Sequence, residues 1–276
     1  MKGRVLVIAG SDSGGGAGIQ ADIKSVMAMG GYAATAITAL TAQNTLGVHG
    51  VHPVPVEFLR QQIAVVLEDI GADAIKTGML GDAAIIEAVA DELIRRAPGV
   101  PLVVDPVMVA KGGAPLLAET AVAALRDRLL PLASLITPNL PEAEALLGRP
   151  VTDVAEGAAA LLQTGAHSVL LKGGHAEGPT CMDALATEDG IEYLEMPRIL
   201  TRHTHGTGCT LASAIAAGLA QGLPLSAAVR RARAYVQEAI RTAPGFGRGH
   251  GPLNHLAAIP AGSPPPVSTP PSRDAP

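Results

Sequence analysis

The chain of 276 residues contains no tryptophan and only three Tyr and two Phe. Without aromatic platforms it is poorly suited to stacking the bases of single-stranded nucleic acid. Positive charge is short as well: 20 Lys and Arg against 25 Asp and Glu leave a net charge of −5, with no electrostatic footprint for DNA or RNA. Cys181 and Cys209 are the only cysteines, too few for a disulfide framework and lacking metal-ligand spacing. No apolar run reaches the roughly 18 residues that a membrane span needs. Lys2 and Arg4 precede an apolar run of only Val5–Ala9, so no signal peptide is visible. These absences predict a soluble, cytosolic protein. A Gly-x-x-x-x-Gly-Lys-Ser/Thr loop is missing too, which excludes a P-loop nucleotide site.

What the sequence does have is 48% hydrophobic and 16% charged residues, enough for a sizeable core built from Ala, Val, Leu and Ile. Length and pattern predict one large α/β domain over 1–259. Residues 260–276, with seven prolines among Ser, Thr and Gly, read as a disordered tail. Short apolar runs alternate with helical periodicity. Strands are predicted at 5–9, 32–40, 74–76, 102–104, 134–137 and 169–171, and helices at 17–29, 56–70, 82–96, 118–130, 142–147, 155–164, 209–221 and 226–241. An antiparallel hairpin is expected from 181–187 to 191–196. Strands alternating with helices imply a mostly parallel sheet with right-handed crossovers.

Ligands of such sheets sit beyond the carboxyl ends of the strands. Those ends read Gly10-Ser11-Asp12, Ala42-Gln43-Asn44, Gly78-Met79, Asp105-Pro106, Pro138-Asn139 and Lys172-Gly173-Gly174, a chemically loaded edge. Gly16-Ala17-Gly18-Ile19-Gln20-Ala21 fits G-x-G-x-x-A, but Gln43 stands where a dinucleotide site expects an acid. The run His205-Gly-Thr-Gly-Cys-Thr, followed by the small apolar residues Leu211–Gly218, bends tightly and presents amides at a helix N-terminus. A negative charge is stabilised there, and Cys209 in that position is expected to have a lowered thiol pKa. A flexible turn before a buried helix, with a cysteine that merely packs, is the alternative.

The segments AGSDSGGGAGIQADIK (9–24), TALTAQNTLGV (38–48), KTGML (76–80), DPVMVAKGG (105–113), LITPNLPEAEALLG (135–148), LLKGGH (170–175) and HGTGCTLASAIAAGLA (205–220) occur in one order over residues 4 to about 242. In these segments the chain resembles the hydroxymethylpyrimidine/phosphomethylpyrimidine kinases of thiamine biosynthesis, in the ribokinase superfamily. The resemblance implies a three-layer α/β/α fold. It also implies ATP and Mg2+ as cofactors, a pyrimidine alcohol phosphorylated to its mono- and then its diphosphate, and a homodimer.

The same resemblance distributes roles. Asp22, facing the cleft one turn past the glycine loop, and Gln43 contact the aminopyrimidine, with Gly10, Met79 and Val107 lining the ring. Lys172 holds ATP phosphates. Asn139, Thr207 and Asp105 belong to the same side, and Lys111 reaches a substrate phosphate. Glu142 of the Asn-x-x-Glu element binds Mg2+, with Asp105 as a second candidate; one carboxylate beside phosphates suffices for this ion. Cys209 stands where ribokinase-like kinases generally carry an Asp base, and the amides of Gly206, Thr207 and Gly208 form the anion hole. His175 and His205 are taken as bystanders. A pyridoxal kinase of the same branch and a non-catalytic pyrimidine-binding module remain as alternatives.

Overall fold

The apolar runs Val5–Ala9, Leu102–Val104 and Val169–Leu171 leave no polar face, so those strands are buried on both sides. The structure, a computed structural model, describes residues 1–257 apart from 110–112, 114–115, 117–118 and 175–177. Lys111, His175 and the proline-rich segment 260–276 therefore lie outside the described residues.

The chain runs β1 (Arg4–Asp12), α1 (Gly18–Ala28), β2 (Tyr32–Asn44), β3 (Gly47–Pro53), α2 (Val56–Asp69), β4 (Ala74–Thr77), α3 (Ala83–Arg96), β5 (Leu102–Val104), α4 (Glu119–Ala124), β6 (Leu135–Ile136), α5 (Leu140–Leu147), α6 (Val154–Leu162), β7 (Val169–Leu171), β8 (Thr180–Thr187), β9 (Gly190–Pro197), α7 (Thr207–Ala220) and α8 (Leu225–Arg241). The nine strands form one sheet in the order β3-β2-β1-β4-β5-β6-β7-β8-β9. β2 through β7 pair in parallel in that order, while β3, β8 and β9 add antiparallel edges.

Alternation along the strands divides the core in two. Leu6, Ile8, Ile75, Leu102, Val104 and Ile136 point to the face covered by α2–α6. Val5, Val7, Ala9, Val103, Leu135 and Leu170 point to the face covered by α1, α7 and α8. The expected three-layer α/β/α architecture is thus present. From β1 the chain steps to β2 on one side and, through β3 and α2, returns to β4 on the other. A sheet that reverses in this way opens a crevice at the carboxyl ends of the two strands flanking the reversal, here β1 and β4. Among the described residues no helix is long and apolar enough to cross a membrane.

Three expectations need correction. β3 was not anticipated, because Gly-Val-His-Gly-Val-His-Pro has no apolar run and lies almost wholly exposed as an edge strand. β1 and β2 continue to Asp12 and Asn44, carrying polar residues past the point where the apolar signal stops. The helix expected at 118–130 is α-helical only to Ala124, then loosens into a π-turn over Leu125–Leu129 and a 3₁₀ turn over Leu130–Leu132. Pro131, which has no N–H to donate, sits in that last turn and ends the helix.

Candidate active site

One carboxylate gathers the glycine loop between β1 and α1. Asp12 accepts hydrogen bonds from the N–H groups of Gly14 (2.8 Å), Gly16 (3.0 Å) and Ala17 (2.8 Å). The imidazole Nε2 of His205 lies 2.9 Å from its Oδ2. Burial opposes the charge on Asp12, yet His205 and the amides outweigh it and hold the carboxyl below its usual range. His205 is therefore no bystander: it fastens the loop before α7 to the loop after β1. The two loops fit only because of glycine. Gly206 has φ +84°, and a Cβ there would fall 1.8 Å from the Gly16 carbonyl oxygen. Gly18 has φ +55°, and a Cβ would fall 2.4 Å from the carbonyl of Gly10.

The helix α7 opens at Thr207 with Gly206 as its N-cap, so Thr207, Gly208 and Cys209 form its first turn. The first intrahelical bond is Thr210 N–H to Gly206 O at 2.9 Å, while the Thr207 N–H turns back to Thr204 O at 3.4 Å. Among the described residues the N–H groups of Gly206, Gly208 and Cys209 have no acceptor. The free amides are thus those of 206, 208 and 209, in place of the expected 206, 207 and 208.

Two lysine–aspartate pairs flank this helix end. On one side Lys172, which follows β7, reaches Asp105 Oδ1 at 3.3 Å, and Thr137 Oγ1 donates to the same oxygen at 3.1 Å. The Cβ position of Gly208 is 3.4 Å from both Lys172 Nζ and Asp105 Oδ2, so the pair abuts the helix N-terminus. Burial works against the Lys172 charge, but Asp105 and Glu142 outweigh it and raise its pKa. The loop behind Lys172 is braced: Gly173 N–H donates to Asp183 (2.9 Å), whose other oxygen accepts from the buried Arg233 at 2.9 Å.

On the other side Lys76 of β4 and Asp22 of α1 pair at 2.9 Å, each 0% exposed. Ser213 Oγ, on α7, donates to the same Asp22 oxygen at 2.7 Å. The sequence predicts that Asp22 faces the cleft; instead it has no exposed surface, its carboxylate being taken up by Lys76 and Ser213. Burial pulls its carboxyl up in pKa, Lys76 opposing. Burial also works against the Lys76 ammonium, but Asp22, Cys209 and Asp105 outweigh it and raise its pKa.

Cys209 carries the largest departure from expectation. Its thiol is pushed up to about 12, first by burial, with Asp22 and Asp105 adding to the rise and Lys76 and the Gly18 N–H opposing it. A helix N-terminus contributes about 1 kcal/mol, and desolvation outweighs it.

Glu142 stands in the first turn of α5 inside a capping box. Asn139 Oδ1 accepts from Glu142 N–H at 2.9 Å, and Glu142 Oε2 accepts from Asn139 N–H at 2.8 Å. Asn139 therefore serves α5 first, its side-chain oxygen being committed to the cap. Burial raises the Glu142 carboxyl to about 7, with Lys172 opposing and Asp105 reinforcing. Among the described residues no group of three or more His, Cys, Asp or Glu side chains is placed to hold a metal unaided.

The remaining residues assemble around the crevice. Met79 Cε packs against Gly10, where a Cβ would fall 2.3 Å away, and Thr38 Oγ1 fixes the Met79 carbonyl at 2.7 Å. Val107 is half-buried, its N–H bonded to Asp105 O at 2.8 Å. Gln43, next to the last residue of β2, has Nε2 at 3.5 Å from His205 Nε2 and Oε1 at 3.2 Å from Thr41 Oγ1. A strap after α8 closes the region. His250 N–H bonds Thr45 O at 2.8 Å, His205 N–H bonds Gly251 O at 3.1 Å, and His255 Nε2 lies 3.0 Å from Thr210 Oγ1. Lys76, Ser213, Asp12 and the strap were missed from sequence. Asp12 stands at a strand end on the loaded edge, a signal that was available; Lys76, Ser213 and the strap offered none.

The model of the phosphomethylpyrimidine kinase family matches residues 12–254. The hydroxymethylpyrimidine/phosphomethylpyrimidine kinase of Haemophilus influenzae is 50% identical over 261 residues, covering 92% of this chain and 97% of that one. The thiamine biosynthesis bifunctional protein ThiED of Geobacter sulfurreducens is 52% identical over 260 residues; the match covers 93% of this chain but spans only 53% of that protein. Among solved structures, the pyridoxal kinase of Bacillus subtilis in its ADP complex superimposes with a TM-score of 0.86 at 38% identity, covering 93% of this chain and 98% of that one. The phosphomethylpyrimidine kinase of Clostridium difficile does so with a TM-score of 0.77 at 41% identity, covering 87% and 100%.

Proposed function

Because the chain belongs to the phosphomethylpyrimidine kinase family, we propose that it uses ATP to phosphorylate 4-amino-5-hydroxymethyl-2-methylpyrimidine and then the resulting monophosphate. The observation that carries the reading is the end of α7, where three amides without acceptors meet two lysines held by buried aspartates. Phosphoryl transfer asks little covalent chemistry of a protein; it asks for fixed positive charge around a migrating anion. The free amides of Gly206, Gly208 and Cys209 meet the transferring group, and Lys172, with Thr207 and Asn139 nearby, meets the ATP phosphates. Gly10, Met79, Val107 and Gln43 receive the ring, Gln43 supplying both a donor and an acceptor. Asp22 supports that pocket from below through Lys76. Lys111 is assigned to the substrate phosphate.

Cys209, in its thiolate form, accepts the proton of the acceptor hydroxyl in the first transfer. The acceptor of the second is a phosphate, largely ionised near pH 7 and in little need of a base. Mg2+ fits the donor set: a buried carboxyl at Glu142 that ionises near neutrality, beside Lys172, suits a hard cation that keeps waters and shares phosphate oxygens. Glu142 would hold it, and it would supply neutralisation of phosphate charge; Asp105 is committed to Lys172 and Thr137. The kinase unit spans 1–259 and works in the cytoplasm as a homodimer.

Product analysis with ATP, Mg2+ and the free pyrimidine tests the reading, with the monophosphate expected first and the diphosphate after it. No product, or turnover of pyridoxal alone, overturns it. Phosphorylation of pyridoxal is the second reading, favoured by the TM-score of 0.86 to a pyridoxal kinase. Competition between the two acceptors in one assay ranks them.

A further inference from the structure

The Lys76–Asp22 pair has no exposed surface, in contrast to Lys172, which keeps 17% of its side chain accessible. A sealed ion pair is a poor source of stability, since apolar residues of the same volume hold a fold as well or better. Its setting points to another use. Ser213 lies one helical turn beyond Cys209 and on the same face of α7. Its hydroxyl (2.7 Å) and the Lys76 ammonium (2.9 Å) share one oxygen of Asp22, while the other oxygen of Asp22, equally buried, has no partner among the described residues. The face of α7 that carries Cys209 therefore rests on this pair. The charged groups whose fields act on the sulfur are Lys76 from β4, Asp22 from α1, Asp105 from the segment after β5 and Lys172 from the segment after β7. Lys76 attracts a charge on sulfur and Asp22 repels it.

We propose that Lys76 is a positioning residue, the counter-ion of the Cys209 thiolate, and that Asp22, braced by Ser213, divides the lysine's charge between its own carboxylate and the sulfur. The proposal rests on the reading of Cys209 as proton acceptor. The thiolate forms when the S–H proton leaves to solvent water. In the transfer step the acceptor O–H bond breaks and the S–H bond forms. At the same time the phosphorus gains its bond to the acceptor oxygen and loses its bond to ADP. Lys76 exchanges no proton.

Removing either partner alone leaves a buried charge and strains the fold, so Asp22→Asn, which keeps Lys76 for the sulfur, is paired with the neutral double variant Asp22→Asn/Lys76→Met, both in a Cys181→Ser background and both checked for folding by far-ultraviolet circular dichroism. Alkylation of Cys209 at pH 8 reports its thiolate fraction. Two uncharged reagents of different size separate ionisation, which moves both rates equally, from opening of the site, which favours the larger. Asp22→Asn should raise both rates about tenfold or more, one pKa unit being a factor of ten in thiolate. The double variant should lose that gain, because its pair is neutral and the lysine is gone. Equal rates in the two variants, or a gain confined to one reagent, overturn the proposal. The pH profile of the first phosphorylation should move toward acid in Asp22→Asn. If the alkylation rates shift as expected but that profile stays fixed, the counter-ion relation stands and the assignment of Cys209 as proton acceptor falls.

Discussion

Glu142 illustrates how one side chain couples stability to ligand chemistry. In the folded chain its carboxyl is held at about 7, against 4.5 for the free group. Between those values the folded chain keeps a proton that the unfolded chain has lost. Its contribution to stability therefore declines as pH rises from 4.5 and levels off above 7, a penalty of at most about 3 kcal/mol. Glu142→Gln should unfold at higher urea than the parent at pH 8 and show less advantage at pH 5, both measured without metal. The same variant should bind Mg2+ at least about tenfold more weakly, because the carboxylate is its intended partner. Cys209 makes a second residue-scale test. Cys209→Ala should slow the first phosphorylation by roughly a hundredfold, as loss of a positioned base does. It should slow the second far less, and equal losses in both steps would count against a proton-accepting role. The sign of the Cys209 shift was not legible in the sequence: a helix N-terminus can be read from glycines, but depth of burial belongs to the packed molecule.

At the scale of elements, the meeting of the β1–α1 loop with the N-terminus of α7 decides whether the anion site exists. Gly206 has φ +84° and no room for a Cβ before the Gly16 carbonyl. Gly206→Ala should separate the two loops and break the Asp12–His205 contact. The expected result is a loss of kcat of a hundredfold or more with the far-ultraviolet circular dichroism retained, since the helices themselves are untouched. Most elements could be read from the sequence because the central strands are short apolar runs and most helices carry an apolar stripe, while α7 is apolar and small all round and is buried over Thr210–Gly218. The exceptions have physical causes. β3 gains its order from pairing with β2, not from burial, and the π-turn before Pro131 leaves the apolar pattern unchanged while altering the backbone. Lys76 eluded a role because its partner is 54 residues away and a lysine in a short strand gives no sign of being sealed.

Across the whole molecule, the chemistry at the crevice is drawn from distant parts of the chain. Asp12 and His205 are 193 positions apart, and Asp22 and Ser213 are 191 apart. Candidate residues were legible one by one wherever they ended strands, but their pairing was not, because pairing follows from sheet order. The strap after α8 is the clearest case. A Cβ on Gly249 would fall 1.9 Å from the Thr45 carbonyl, so Gly249→Val should lift the strap from residues 45 and 46. Since those residues adjoin Gln43, KM for the pyrimidine should rise about tenfold or more while kcat changes little, which steady-state kinetics would reveal.

That strap also fixes a moment in the life of each copy. During synthesis a ribosome delivers the β2–β3 hairpin some two hundred residues before Gly249 and His250, its closing partners at Thr45. Until those late residues emerge from the exit tunnel, the pyrimidine side of the crevice lacks one wall, so a nascent chain cannot hold its acceptor properly, and competence waits for Gly249 and His250 to reach Thr45.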